Sequence, residues 1–224
     1  KQIKTIVVLD HHRQSSEIID NAVLSYVEPY ASSACEMVAE VLQYIGDDGI
    51  KIKPAEADAM YAGIVIDTNN FMNQAGVRTF EAAAFLRRNG ADVVRVRKLF
   101  RDRLEDYRAR AEAIQKAEIY HGAFAISVCP SEGLESPTVV GAQAANELLD
   151  IVGIKASFIL TQMGDTIYFS ARSIDEINVQ ITMERLGGGG HRTIAGAQLK
   201  GATIDEAREK LEDHITDMME KGEI

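Results

Sequence analysis

The spacing of apolar positions predicts that the first half of the chain contains one short strand and three helices. The run Lys4–Leu9 is apolar and β-branched, and the polar tripeptide 10–12 follows it directly. Such a run is typical of a buried parallel strand that ends in a loop. Helical spacing between suitable end residues predicts helices from Ser32–Ser33 to Gly46, from Pro54 to Asp67 and from Thr79 to Asn89–Gly90.

The segment 92–120 is rich in arginine and glutamate, contains no glycine and carries no strand pattern. We interpret 91–120 as one or two linking helices between a first domain, 1–90, and a second domain, 121–224. The arginines of this segment alternate with acidic residues, which favours a solvated, ion-paired helix face over a patch that binds nucleic acid.

The second domain has a pattern of alternating strands and helices. The predicted elements are a strand at 123–129, a helix at 138–152 closed by Gly153, a hairpin of 156–162 with 166–171 turning at Gly164-Asp165, and a helix near 177–186. A closing helix would begin at Thr203, with Glu206 completing a capping box. Taken together, the elements predict an α/β protein.

Composition narrows the range of functions. Acidic residues outnumber basic ones by 34 to 24, which gives a formal net charge of −10. A surface that follows long nucleic acid would be basic, whereas a small anionic ligand in a local pocket is compatible with this charge. Cys35 and Cys129 lie in apolar segments without paired spacing, and no apolar run is long enough to cross a bilayer. A reducing cytoplasm is the expected compartment, and a first residue of Lys1 suggests a piece of a longer chain.

Polar residues at the ends of two predicted elements are candidates for metal binding. Asp10, His11 and His12 follow the first strand, and a carboxylate with two imidazoles can bind and orient a divalent ion. A plain polar loop is the alternative. Asp67 would lie at the negative end of a helix dipole, an arrangement that costs about 0.3–1 kcal/mol unless a cation is near. The alternative for Asp67 is an Asx-type cap of the turn at Asn69–Asn70.

A second candidate site lies near the end of the chain. Gly187, Gly188, Gly189 and Gly190 precede His191. Glycines permit positive φ angles and close approach to a ligand, so consecutive N–H groups could form an anion-binding nest beside the histidine. A flexible connection is the alternative. Three further residues could reach the same pocket: Arg172 as the partner of a phosphate, Ser173 and Asn178.

Three segments carry a family resemblance: VVLDHHR (7–13), AGIVIDTNNF (62–71) and NVQITMERLGGGGHRTIAGAQ (178–198). Together they resemble the DHH phosphoesterase family with its DHH-associated C-terminal domain, and in particular the catalytic end of GdpP-type cyclic-di-AMP phosphodiesterases. The likeness covers nearly the whole chain. It implies the C-terminal part of a parallel-sheet DHH domain, joined by linking helices to a smaller α/β DHH-associated domain.

The resemblance also implies an activity, which is hydrolysis of cyclic di-AMP to the linear dinucleotide by water held between two metal ions, usually manganese. By motif, His11 and Asp67 would be metal ligands, Asp10 would support them, and His12 would face the scissile phosphate. The substrate would be bound by Arg172, Ser173, Asn178, Gly187, Gly188, Gly189, Gly190 and His191.

The expected partner is a cyclic dinucleotide or a short oligonucleotide rather than long nucleic acid. We expect no membrane contact from this chain, although proteins of this type have membrane-attached regions upstream. Whether the chain forms a homodimer stays open.

One feature of the family is absent. The family takes its remaining metal ligands from an upstream Asp-x-Asp motif and a further aspartate, and no Asp-x-Asp occurs in this sequence. Because the chain begins at the strand before Asp10, truncation explains this better than divergence. We therefore expect the isolated chain to bind two metals poorly and to hydrolyse little substrate.

Two other functions stay open. A member of the same family could degrade short oligoribonucleotides or dephosphorylate 3′-phosphoadenosine phosphate. A non-catalytic nucleotide-binding module would rely mainly on the glycine segment. A RecJ-like single-strand exonuclease is disfavoured, because the chain is acidic and lacks interleaved basic and aromatic residues.

Overall fold

The computed structural model of the chain describes residues 5–12, 19–45, 51–174 and 176–223. The chain divides into two units, Lys1–Arg101 and Asp102–Ile224, of which the second is the longer. Among the helices in the described ranges, none has both the length and the apolar composition that a membrane crossing requires.

In its described residues, the first unit contains a short parallel strand pair and four helices. Its elements are β1 (Val7–Asp10), β2 (Leu24–Val27), α1 (Ala34–Ile45), α2 (Pro54–Asp67), α3 (Val77–Arg88) and α4 (Val93–Leu99). β1 pairs in parallel with β2, which brings Asp10 opposite Val27. The prediction of a parallel strand before Asp10 is confirmed, but its predicted burial is wrong. Val7 is 53% exposed, because in the described residues β1 has a single neighbouring strand, β2. β2 itself was not predicted, since four residues are too few for a clear period.

The start of α1 and both ends of α2 agree with the sequence pattern. The Ser33 hydroxyl accepts a hydrogen bond from the Glu36 N–H at 3.0 Å, and the Ser32 hydroxyl donates to the Glu36 carboxylate at 2.5 Å. α2 begins at Pro54 and ends at Asp67, as predicted. The predicted stop of α1 at Gly46 lies outside the described residues. The helices enclose a core of small and branched side chains: Ala39, Ala57, Ile64, Ala82, Leu86 and Ala91.

The predicted cap of α3 at Thr79 is wrong. The helix begins two residues earlier, at Val77, and Gly76 occupies the cap position. The Thr79 hydroxyl lies inside the first turn and accepts a hydrogen bond from the Gly76 N–H at 3.0 Å. A threonine three residues into a helix can thus satisfy the backbone of the cap residue, and from sequence alone it resembles a cap. The predicted stop at Asn89 is confirmed.

The second unit is a six-stranded mixed sheet with helices. Its elements are α5 (Leu104–Gln115), β3 (Glu118–Tyr120), β4 (Phe124–Cys129), α6 (Pro137–Leu148), β5 (Ala156–Met163), β6 (Thr166–Ser173), α7 (Val179–Arg185), β7 (Gly189–Gly190), β8 (Ile194–Lys200) and α8 (Ile204–Glu220). The strand order is β3-β4-β5-β6-β8-β7, with β4 and β5 parallel and the other neighbours antiparallel. The predicted hairpin of β5 and β6 and the capping box of Thr203 with Glu206 are confirmed.

Two predictions for this unit need correction. The segment interpreted as linking helices contains α4 and α5, but it ends in β3, whose three residues are too few to produce a strand pattern. α6 stops at Leu148 and not at residue 152. Beyond it the N–H groups of Leu149, Asp150 and Ile151 each donate to the carbonyl three residues earlier, so tight turns replace the α-helical ladder.

The two faces of this sheet are covered unequally. On one face, α7 and α8 pack on a core that includes Phe158, Ile167 and Leu211. On the opposite face, α5 and α6 pack on β4 and β5, and α6 also reaches β6. The helical neighbour of β8 is α7, which belongs to the first of these faces. In the described residues, the second face of β8, and of the part of β6 that α6 does not reach, is therefore where this sheet can receive a ligand.

Candidate functional site

The end of β1 is a turn organised by the Asp10 carboxylate. Its Oδ1 atom accepts hydrogen bonds from the His12 N–H at 3.0 Å and from His12 Nδ1 at 2.8 Å. The main-chain bond, followed by the side-chain bond, holds the pKa of Asp10 below its usual range. The Asp10 carbonyl also accepts a bond from the Glu28 N–H at 2.8 Å, which extends the strand pairing to the turn. Asp10 therefore stays ionised and fixes the orientation of His12.

His11 and Asp67, from the ends of two different elements, lie next to each other. His11 Nε2 is 3.8 Å from Asp67 Oδ2, and their side chains are 18% and 38% exposed. Imidazole nitrogen and carboxylate oxygen bind divalent ions at about 2.0–2.2 Å, so this separation is shorter than the sum of two such bonds. The donor set and its spacing therefore fit one cation held between the two side chains. The structure thus brings together the two residues that the sequence singled out as ligands.

His12 differs from His11 in its surroundings. The two rings lie 4.4 Å apart between centroids with planes 50° apart, but the His12 side chain is 67% exposed. With Nδ1 engaged by Asp10, the remaining nitrogen of His12 is accessible from outside. Within the described residues no group of three or more His, Cys, Asp or Glu side chains is placed to hold a metal ion.

A close contact between α1 and α2 adjoins Asp67, and sequence reasoning missed it. Gly63 precedes Asp67 by one helical turn, and a Cβ on Gly63 would overlap the Cys35 sulfur and lie 3.3 Å from the Cys35 Cβ. Burial, with a smaller contribution from the Asp67 charge, raises the pKa of the Cys35 thiol. A glycine inside a predicted helix, which normally costs stability, was the available signal.

Arg172 in the second unit is a cation that makes no ion pair with any described residue. Its Nε donates to Asn146 Oδ1 at 3.1 Å, and its Nη1 donates to the Ala171 carbonyl at 2.9 Å. Burial lowers the pKa of this guanidinium, and the described residues place no carboxylate within ion-pair distance of it. A partly buried charge of this kind favours an incoming anion.

Ser173 and Asn178 already have structural partners. The buried Ser173 hydroxyl donates to the Ile177 carbonyl at 2.6 Å. The Asn178 side chain accepts a bond from the Gln180 N–H at 3.2 Å and so caps α7. Both residues hold the connection between β6 and α7 in place, and a direct contact with substrate stays a prediction.

The predicted anion-binding nest in the glycine segment is wrong. The N–H groups of Gly187 and Gly188 donate to the carbonyls of Glu184 and Met183, and the His191 N–H donates to Ile194 at 2.7 Å. The next two glycines form β7. These bonds end α7 and begin a turn, so consecutive N–H groups do not converge on a ligand.

The glycines are needed because the glycine segment lies very close to β8. A Cβ on Gly188 would lie 2.6 Å from the Cα of Ala197, and Gly190 has a φ angle of +147° with its own Cβ position 2.5 Å from the Ile194 carbonyl. His191 follows in an exposed turn. A groove of about 320 Å³ borders this segment, and its lining residues are Tyr168, Phe169, Gly187, Gly188, Gly196, Ala197 and Gln198.

Replacing Gly188 and Gly189 separately tests this packing. Gly188→Ala should lower the free energy of unfolding by about 1–3 kcal/mol, because its methyl group meets the backbone of β8. Gly189→Ala is the matched control, since nothing lies within 4 Å of the added methyl, and its effect should stay within about 0.5 kcal/mol. Urea denaturation measures both, and equal losses in the two variants would contradict the account.

The contact between Gly63 and Cys35 predicts that a substitution at Cys35 partly restores the stability lost by a substitution at Gly63. Gly63→Ala should destabilise the chain by about 1–3 kcal/mol, because the new methyl overlaps the thiol. Adding Cys35→Ala should recover at least about 0.5 kcal/mol of that loss, as expected for coupled neighbours. Chemical denaturation of the single and double variants measures the coupling. Strictly additive effects would show that the two residues do not constrain each other.

Comparison with known proteins identifies two domains in this chain. Residues 1–64 match the DHH family, N-terminal domain. Residues 123–217 match the DHHA1 domain. The first match contains the turn at Asp10 and His11, and the second contains Arg172 and the glycine segment.

Two curated relatives cover 97% of this chain. A cyclic-di-AMP phosphodiesterase GdpP from Geobacillus thermodenitrificans is 45% identical over 218 residues. A cyclic-di-AMP phosphodiesterase PdeA from Listeria monocytogenes is 43% identical over 219 residues. The chain spans 33% of the length of each of these relatives.

A solved structure supports the fold. An exopolyphosphatase-related protein from Bacteroides fragilis matches with a TM-score of 0.81 over 95% of this chain and 63% of its own, at 21% identity. Because the sequence identity is low, this likeness supports the fold and says nothing about function. The two domain matches and the relatives lead to one conclusion: the chain belongs to the DHH family, with a DHH N-terminal domain followed by a DHHA1 domain.

Proposed function

We propose that this chain is part of a metal-dependent phosphodiesterase that hydrolyses cyclic di-AMP to the linear dinucleotide. The observation that carries the proposal is the 3.8 Å approach of His11 Nε2 to Asp67 Oδ2 at the ends of β1 and α2. The substrate is suggested by the relatives, which bear the name cyclic-di-AMP phosphodiesterase and are 43–45% identical to this chain.

In the proposed site, His11 and Asp67 are metal ligands and Asp10 supports their turn. When bound, divalent cations, here proposed to be manganese, supply an activated water near neutral pH and stabilise charge in an in-line displacement. Two protein ligands are too few for two tight sites, so the isolated chain should bind metal weakly. We expect its own hydrolytic activity to be low for the same reason.

His12 is proposed to face the scissile phosphate. The ionised Asp10 carboxylate binds His12 Nδ1, which leaves the exposed Nε2 to donate a hydrogen bond to a phosphate oxygen when the ring is protonated. Asp10 thereby sets the direction of the ring. The chain's own contribution at this point is to hold and orient a proton donor.

Substrate binding is assigned to the open face of the second unit. Arg172 would pair with a phosphate, because its guanidinium has no acidic partner among the described residues and is held in place by Asn146. Gly187, Gly188, Gly189 and Gly190 would let the substrate approach the backbone, with His191 in the exposed turn. Ser173 and Asn178 would act mainly by holding this edge of the sheet.

Kinetics of the full-length protein test the proposal. With manganese present, chromatography of the products should show that cyclic di-AMP is opened to the linear dinucleotide. His11→Ala and Asp67→Asn should abolish turnover, and Asp10→Asn should lower metal affinity about 10–100-fold. Arg172→Ala should raise KM more than it lowers kcat, because it removes binding to an existing phosphate.

The exposed His121 provides a matched control, and His121→Ala should keep wild-type kinetics. Faster hydrolysis of linear dinucleotides or of 3′-phosphoadenosine phosphate than of cyclic di-AMP would assign the protein to the oligoribonuclease type. Binding of nucleotide that persists in His11→Ala, with no turnover in the wild type, would favour a non-catalytic module.

A further inference from the structure

The groove beside the glycine segment has a tyrosine and a glutamine side by side. Tyr168 of β6 lies directly opposite Gln198 of β8 in the antiparallel register. Directly opposed residues point to the same face of a sheet, with Cβ atoms about 4.5–5.5 Å apart. Both residues line the groove of about 320 Å³. Its size falls at the lower end of the range of small-molecule pockets.

Neither side chain is held by a hydrogen bond to the part of the chain that the structure describes. Within the described ranges, the Tyr168 hydroxyl and the Gln198 amide make no hydrogen bond to protein, although Tyr168 is partly buried. This contrasts with Ser127 and Ser157, whose hydroxyls lie on the same face of the sheet under α5 and α6. Each of them donates to a helix carbonyl at 2.6 Å. The polar groups in the groove are therefore available to a ligand.

Apart from Phe169, the rest of the groove is formed by three glycines and an alanine: Gly187, Gly188, Gly196 and Ala197. Gly188 and Gly196 approach so closely that a Cβ on Gly188 would overlap the Gly196 carbonyl. The glycines therefore expose backbone on the wall of a groove that Tyr168 also lines. A planar ring system suits such a space, because it can stack on an aromatic face and contact a flat surface.

Small residues of β6 and β8 lie between the groove and Arg172. Tyr168, Ser170 and Arg172 alternate on one face of β6, and Ser170 is paired with Gly196 across the sheet. Arg172 is four residues from Tyr168, a distance of about 13 Å along the strand. No large side chain of β6 or β8 stands between them on this face. A nucleotide whose phosphate pairs with Arg172 could therefore extend along this face toward Tyr168.

We propose that Tyr168 and Gln198 form a nucleobase subsite that selects adenine. The Tyr168 ring stacks on the base, an interaction that tolerates any base. The Gln198 amide donates to N7 and accepts from the N6 amino group of adenine, whereas guanine presents two acceptors on that edge. The subsite rests on the proposed function, because it is placed relative to Arg172 as the phosphate-binding residue.

The kinetic test uses the full-length protein with cyclic di-AMP and cyclic di-GMP. Tyr168→Ala should raise KM for both substrates by about 10-fold, with kcat nearly unchanged, while Tyr168→Phe keeps the ring and the wild-type KM. Gln198→Leu should lower the preference for the adenine substrate in kcat/KM by about 10-fold. Gln162→Leu, on an exposed position of β5, is the matched control and should change neither quantity.

Equilibrium binding of AMP and GMP to the same variants separates this subsite from the activity. A preference for AMP that Gln198→Leu removes would support the subsite even if the wild type hydrolysed no cyclic dinucleotide, an outcome that would refute only the proposed function. The subsite is overturned if Tyr168→Ala leaves KM and AMP binding unchanged. It is equally overturned if Gln198→Leu keeps the full preference for adenine. Thermal unfolding of each variant verifies that the fold is intact.

Discussion

The approach of the His11 imidazole to the Asp67 carboxylate is the constraint on which the proposed metal site depends. Parallel pairing with β2 fixes the end of β1, and the contact between Cys35 and Gly63 fixes how closely α2 packs on α1. Asp67 lies one turn beyond that contact, at the negative end of α2. A carboxylate in this position is disfavoured by the helix dipole, so a shared cation would stabilise both the side chain and the helix end.

In the second unit, helices cover the two faces of the sheet unequally. Helices bury both faces of β4 and β5, and the buried serine hydroxyls there are satisfied by helix carbonyls. In the described residues, α6 covers this face of β6 only in part, and the face carries Arg172, Tyr168 and Gln198. A ligand on this face would meet a rigid surface, because the opposite face of the same strands is packed into the core.

The candidate residues could be predicted from the sequence because they lie at the ends of elements. Asp10, His11 and Asp67 follow apolar runs whose period is local, so their positions needed no knowledge of tertiary contacts. The short strands β2 and β3 could not be found, since they exist through pairing with neighbours and not through a pattern of their own. The glycine segment was identified as special for the wrong reason. Its glycines allow close packing against β8, and its N–H groups are bonded internally.

The most direct test of the shared cation is anomalous scattering at the manganese edge from crystals of the full-length protein. The account predicts a peak about 2.0–2.2 Å from both His11 Nε2 and Asp67 Oδ2. A well-ordered manganese peak that contacts neither atom, with the two side chains still adjacent, would contradict it.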